Sequence, residues 1–167
     1  MATIFCVCGP VASGKSTYSA ALAAQNAAIV FSMDKWMNTL FVKDIPAGSG
    51  SSNFAWFSER VARCEDQSWQ TVEQVLGQDV NVVLDWGFIR QERRKNVSQR
   101  AAASQCKIEW HVLEGATEIR RKRVEERNAK GGDTFAFQVT PAMFDFAERL
   151  DEPPSENELP LAIRSLT

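Results

Sequence analysis

Between an apolar run, Thr3–Cys8, and an alanine-rich segment, Lys15–Gln25, lies the octapeptide Gly9-Pro10-Val11-Ala12-Ser13-Gly14-Lys15-Ser16, followed by Thr17. The octapeptide fits G-x-x-x-x-G-K-[ST], a pattern whose physical content depends on a strand before it and a helix after it. Both flanks satisfy that condition. Gly9 and Gly14 permit a tight turn in which successive N–H groups point inward and form a cradle for anions. The following helix adds the positive end of its dipole. In such a loop the whole stretch Gly9–Thr17 wraps the phosphates of a nucleotide. Lys15 reaches the β- and γ-phosphates, and the Ser16 hydroxyl is a ligand for Mg²⁺.

A strand–loop–helix opening predicts more of the same along the chain. Further apolar runs occur at Ala27–Ser32, Val80–Asp85, Lys107–Leu113 and Leu159–Leu166. The first three are rich in Val, Ile and aromatic residues, as strands are. In the last, Pro160 fits only at the start. Helical periodicity is read over Lys15–Gln25, Glu59–Leu76, Gln91–Ser104, Thr117–Lys130 and Ala142–Leu150. Strand and helix alternate, which predicts an α/β fold with a parallel sheet covered on both faces. Pro46–Asn53 and Ala129–Thr134, rich in small and polar residues, are expected to be mobile. With 167 residues, the chain suits one domain spanning 1–167.

Composition narrows the class. The net charge of −2 argues against a surface coated with phosphate-binding residues. No apolar run approaches the roughly 20 residues of a membrane span, and the start lacks the features of a signal peptide. A cytoplasmic protein is therefore expected, with Cys6, Cys8, Cys64 and Cys106 reduced. One histidine, His111, leaves no zinc pattern; within an apolar run it reads as a core or strand-edge residue.

Two carboxylates mark the ends of strand-like runs: Asp34 follows one, in "VFSMDKW", and Asp85 ends another, in "VVLDWGF". Strand C-terminal ends line the ligand crevice of an open parallel sheet, so both should face the phosphates. One would hold Mg²⁺ through water and the other would deprotonate an attacking hydroxyl; the residues themselves leave the division open, and Asp is also a common cap or turn residue. Among the arginines of Glu118–Lys130, Arg121 has Glu125 four residues on, so the two can pair locally. Arg120 and Arg127 have no acidic residue at helical spacing, and Arg123 has only Glu126. The three fall within about 60° of one another around a helix. They read either as a solvated basic face or as a lid over a triphosphate. "RQERRK" (Arg90–Lys95) reads as a solvated helix start or a seat for an anionic acceptor. The acidic stretch Asp145–Glu158 argues against a continuous nucleic-acid surface. Trp36, Phe41, Phe54, Trp56 and Phe57 would line an apolar pocket or simply pack in the core.

Taken in order, "GPVASGKST", "FSMDKW", "VVLDWGF", "RRKRVEERN" and "EPP..NE" resemble the small P-loop kinases of the zeta-toxin, chloramphenicol phosphotransferase and polynucleotide kinase group. Within it, the bacterial ATP-binding proteins labelled AAA-family ATPases are more similar still. The resemblance covers nearly the whole chain. It implies a P-loop NTPase sandwich with a five-stranded parallel sheet in order 2-3-1-4-5 and phosphoryl transfer from ATP, with Mg²⁺, to a hydroxyl. It also implies that Asp34 activates that hydroxyl, that Asp85 is the third-strand carboxylate beside Ser16 and the metal, and that Arg123 and Arg127 belong to a lid over 118–134. Residues 35–70 then form the acceptor-binding insertion. One departure stands out. Polynucleotide kinases place an arginine three residues after the catalytic Asp, and here that position is Met37. This favours a small, uncharged or weakly charged hydroxylated acceptor over a nucleic acid 5′-end. A nucleotide-binding regulatory module with little transfer activity is the remaining alternative.

Overall fold

A computed structural model describes residues 1–46, 51–130 and 139–167. Five strands, β1 (Thr3–Cys8), β2 (Ile29–Ser32), β3 (Val82–Gly87), β4 (Lys107–Glu114) and β5 (Ile163–Leu166), form one sheet in the order β2-β3-β1-β4-β5. Every pairing is parallel. The helices are α1 (Lys15–Gln25), α2 (Met33–Phe41), α3 (Ser51–Leu76), α4 (Gln91–Ala103), α5 (Thr117–Lys130) and α6 (Pro141–Leu150), with one short 3₁₀ turn, Val42–Asp44.

Side chains alternate along the central strand and sort the core into two layers. Ile4, Cys6 and Cys8 join Trp69, Val72, Leu76, Val97 and Ala101 on the α3/α4 side. Phe5 and Val7 join Leu22 and Ala23 of α1 on the other. A strand covered on both faces reads as a continuous apolar run because both sets are buried, as "TIFCVC" does. A third cluster, Val124, Val139 and Phe144 with Val11 and Ala12, packs α5 and α6 against the loop after β1. Cys6, Cys8, Cys64 and Cys106 are free thiols. Burial pushes the Cys8 thiol up to about 11 and Cys6 well above its usual range.

The elements depart from the sequence pattern in three places. Helix α2 is not among the periodic segments, because nine residues contribute only Met33 and Met37 to the core. Helix α3 starts at Ser51, eight residues before the expected Glu59. Ser51–Asn53 are therefore helical rather than part of a loop. The rest of the expected Gly/Ser loop, 47–50, and of the second one, 131–134, lie outside the described residues; Ala129 and Lys130 end α5. Strand β3 runs two residues past Asp85, to Gly87. Among the described residues no helix is long and apolar enough to cross a membrane.

Candidate active site

The loop between β1 and α1 is shaped by two glycines. A Cβ on Gly9 would lie 2.6 Å from the Leu113 carbonyl oxygen and 2.7 Å from Ser13 Oγ, so no larger residue fits. Gly14 has φ +85°, the left-handed region that glycine enters without strain. The loop is pinned by Gly9 N–H to the Gly87 carbonyl (3.2 Å) and Ser13 N–H to the Pro10 carbonyl (3.3 Å). Lys15 Nζ donates to the Pro10 carbonyl at 2.7 Å, folding back across the loop. Burial lowers the pKa of Lys15, and Asp34 and then Asp85 are the main charges that oppose the shift.

Those two carboxylates arrive from neighbouring strands. In the β2/β3 register Ser32 stands opposite Asp85, and the Ser32 hydroxyl donates to Asp85 Oδ2 at 3.4 Å. Asp85 is buried, 6 % exposed. Burial raises its pKa, while Lys15 and a hydrogen bond from Ser16 act the other way. Asp34 sits two residues beyond Ser32, exposed, in the first turn of α2. The structure thus brings Lys15, Ser16, Asp34 and Asp85 together over the C-terminal ends of β2, β3 and β1. Asp151, whose charge also acts on Lys15, stands near the same loop. Nothing in its spacing from the motif could have signalled that.

The arginines divide differently from the helical count. Arg120 is 4 % exposed. It grips Glu148 of α6 through two bonds, 2.7 and 2.6 Å, and its Nη1 also donates to the Val11 carbonyl at 3.1 Å. It is therefore a brace for the loop and not part of a triphosphate-facing trio; its partner lies 28 residues away, beyond any local count. Arg121 bonds Asp145 at 2.7 Å, with Glu125 a lesser influence. Arg123 donates to Thr167 Oγ1 at 3.4 Å, toward the end of β5. Arg127 is half-buried, and its Nε is buried without a hydrogen-bond partner among the described residues. An unpaired guanidinium nitrogen of that kind fits an incoming anion, as does the buried, unpartnered Ser13 Oγ within the cradle.

In "RQERRK" neither expectation holds for all residues. Arg90 pairs with Glu152 at 3.1 Å. Arg94, 1 % exposed, pairs with Glu158 and donates to the Phe88 carbonyl. These bonds fasten the acidic connector 151–158 to the end of β3. Arg93 pairs with Glu65 of α3. His111 is buried as expected and lies between Tyr18 and Glu109. Trp36, Phe41, Trp56 and Phe57 are half-buried and pack on one another or on Phe31; the Phe54 side chain lies outside the described set.

A parallel 2-3-1-4-5 sheet with this loop between its central strand and first helix defines a P-loop NTPase of the kinase topology. The chain belongs to the family described as AAA_33: AAA domain, whose model matches residues 4–150. The resemblance noted in the sequence is borne out in family and fold. Among solved structures, a candidate kinase of Chloroflexus aurantiacus is similar with TM-score 0.74 and 18% identity over 99% of this chain and 85% of that one. Kti12 of Chaetomium thermophilum, solved with ADP-AlF3, has TM-score 0.70 and 15% identity over 98% and 88%. A gluconokinase of Sinorhizobium meliloti 1021 has TM-score 0.59 and 15% identity over 99% and 82%. No curated protein matches the sequence.

Proposed function

We propose that the protein is an ATP-dependent phosphotransferase acting on a hydroxyl of a small acceptor. One observation carries this reading: two carboxylates of unlike surroundings flank Lys15, Asp85 buried against Ser16 and Asp34 exposed at the mouth. A buried carboxylate beside a hydroxyl suits a hard cation, and an exposed one suits an acceptor. The gluconokinase that shares the fold is in keeping with a small hydroxylated substrate.

In this reading the N–H groups of Gly9–Thr17 hold the phosphates of ATP, and Lys15 leaves the Pro10 carbonyl to meet the β- and γ-phosphates. Ser16 and, through water, Asp85 would hold Mg²⁺. Their oxygen donors fit it, and phosphates and water would supply the remaining ligands. The metal's contribution when bound is to neutralise charge on the phosphate oxygens. Asp34 accepts the proton of the acceptor hydroxyl as the new O–P bond forms and the bond to the ADP oxygen breaks. Arg127 and Arg123 of the 118–134 lid stabilise the transferring group, and residues 35–70 bound the acceptor. Phosphorus NMR of ATP incubated with a panel of sugars, nucleosides and natural-product alcohols tests this. A phosphate-ester signal supports transfer; inorganic phosphate alone with every acceptor contradicts it.

A further inference from the structure

Strand β3 leaves the sheet through a strained turn. Gly87 has φ +81° and Phe88 has φ +51°. Glycine enters this left-handed region freely, whereas a bulky residue such as phenylalanine does not. A residue held there at a cost needs surroundings that over-determine it, and Phe88 has them. Its ring is fully buried, with its centre 5.1 Å from that of Trp110 and 5.9 Å from that of Trp86. Its carbonyl accepts from Cys8 Sγ of β1 at 3.4 Å and from Arg94 Nη1 of α4 at 2.8 Å. Arg94 is itself fixed, because its Nε and Nη2 hold the two carboxylate oxygens of Glu158 at 2.7 and 3.0 Å.

This turn stands beside the phosphate loop. The Gly87 carbonyl accepts from the N–H of Gly9, the first residue of that loop, at 3.2 Å. A Cβ on Gly87 would lie 4.0 Å from Lys15 Cε. The bond to Gly9 also has more to hold than an ordinary ladder bond. Cys6 stands opposite Leu84 and Cys8 opposite Gly87, so β3 takes three steps where β1 takes two. Asp85 and Trp86 fill that bulge, opposite Val7. A bulge interrupts the ladder. On the β1 side, the place of Asp85 relative to the loop is therefore set by the bond just beyond the bulge, Gly9 to Gly87.

That bond depends on the turn. The Gly87 carbonyl and the Phe88 N–H belong to one planar peptide. With the Phe88 ring anchored in the core, a change of Phe88 to negative φ would turn that plane and carry the carbonyl away from Gly9.

We infer that Arg94 is a positioning residue: with Glu158 it holds the Gly87–Phe88 turn in its left-handed form and so fixes Asp85 against the phosphate loop. The role of Asp85 toward Mg²⁺ rests on the phosphotransferase reading, whereas the hold on Gly9 does not. Amide hydrogen exchange of the intact protein, followed by NMR, reads the Gly9 bond. Two variants are compared with wild type. In Arg94→Lys a single ammonium cannot reproduce the fork that spans Glu158 and Phe88, and Glu158→Gln keeps the size but loses the charge. Each should speed exchange at Gly9 by ~10-fold or more beyond any change at Ile4, a fully buried residue at the start of the same strand that opens only with the core. Calorimetry with a non-hydrolysable ATP analogue at varied Mg²⁺ reads Asp85. Both variants should raise the Mg²⁺ requirement by ~10-fold, with affinity at saturating Mg²⁺ within a few fold of wild type. Arg90→Ala breaks the exposed pair with Glu152, which also fastens the connector, and should change neither readout. Equal acceleration at Gly9 and Ile4, or loss of the folded state in both variants, would make Arg94 a brace for the fold alone and overturn the proposal. Unchanged exchange at Gly9 or an unaltered Mg²⁺ requirement would overturn it as well. Failure of the phosphotransferase reading would show separately, as wild-type protein that transfers phosphate to no acceptor while the exchange and Mg²⁺ responses stand.

Discussion

Arg120 Nη2 lies 2.6 Å from Glu148 Oε2 while its Nη1 lies 3.1 Å from the Val11 carbonyl, so one buried guanidinium ties α6 to the loop that follows β1. The loop's shape thus depends on an ion pair drawn from the far end of the chain. Arg120 is buried and Glu148 partly so; removing the guanidinium leaves a carboxylate that water can reach in part, at about 1–3 kcal/mol. Arg120→Ala should destabilise the fold by roughly that amount in urea unfolding and weaken nucleotide binding as well. Arg120→Lys should rescue little, since an ammonium cannot reproduce the two-pronged contact. Full stability in either variant would contradict the brace.

The same pair predicts an acid response. Hydrogen bonding to Arg120 holds the Glu148 carboxyl below its ordinary value of 4.5. A depressed folded-state pKa contributes stability that is present above the unfolded value and lost as pH falls through the folded one. Wild-type stability should therefore drop in part below about pH 4.5, and Glu148→Gln should flatten that part of the profile. Thermal unfolding across the acid range checks it; an unchanged acid slope in the variant argues against the linkage.

Lys15 and its loop should behave as a phosphate clamp. Lys15→Ala should lower transfer by ~100-fold or more with a smaller loss of ADP affinity, because the cation matters most as charge moves in the transition state. Steady-state kinetics beside calorimetry with ADP separates the two. ATP-dependent activity that survives nearly intact contradicts the assignment.

Of the two arginines assigned to the proposed lid, Arg127 carries a buried Nε with no partner among the described residues, whereas Arg123 reaches toward Thr167. Arg127→Ala should thus reduce kcat by ~10-fold or more, and by more than Arg123→Ala does, with ATP affinity less affected. Arg121 binds Asp145 and helps join α5 to α6, so Arg121→Ala should lower stability before it lowers turnover. Equal kinetic effects at 121 and 127 would remove the distinction.

Much of the architecture was legible because it is written locally. Thr3–Cys8 alternates between two buried layers, and Lys15–Gln25 and Thr117–Lys130 carry their helical period within themselves. The short α2 was not, since two methionines four residues apart make too brief a pattern. That the loop and both carboxylates gather at one end of the sheet was legible from their places at the ends of strand-like runs. The long-range pairs were not. Arg120 with Glu148, Arg94 with Glu158 and Arg93 with Glu65 each join elements that are distant in sequence. A helical count sees an arginine without a neighbour and cannot tell a ligand site from a tertiary brace. Met37 failed for a related reason: three residues after Asp34 is an acceptor-facing place only if the helix presents that face outward, and α2 turns it into the core.

In the proposed reaction Asp34 takes the acceptor's proton and Asp85 supports the metal. Asp85→Asn should raise the Mg²⁺ requirement, and Asp34→Asn should leave metal and nucleotide binding in place. The decisive measurement is single-turnover transfer from radiolabelled ATP to whichever acceptor the panel identifies, run with wild type and Asp34→Asn at saturating Mg²⁺, alongside ATP affinity by calorimetry. The expected rate is lower by roughly 10²–10⁴-fold in Asp34→Asn, with affinity within a few fold of wild type. Transfer at the wild-type rate by Asp34→Asn, or a loss explained wholly by weaker ATP binding, would contradict the role of Asp34.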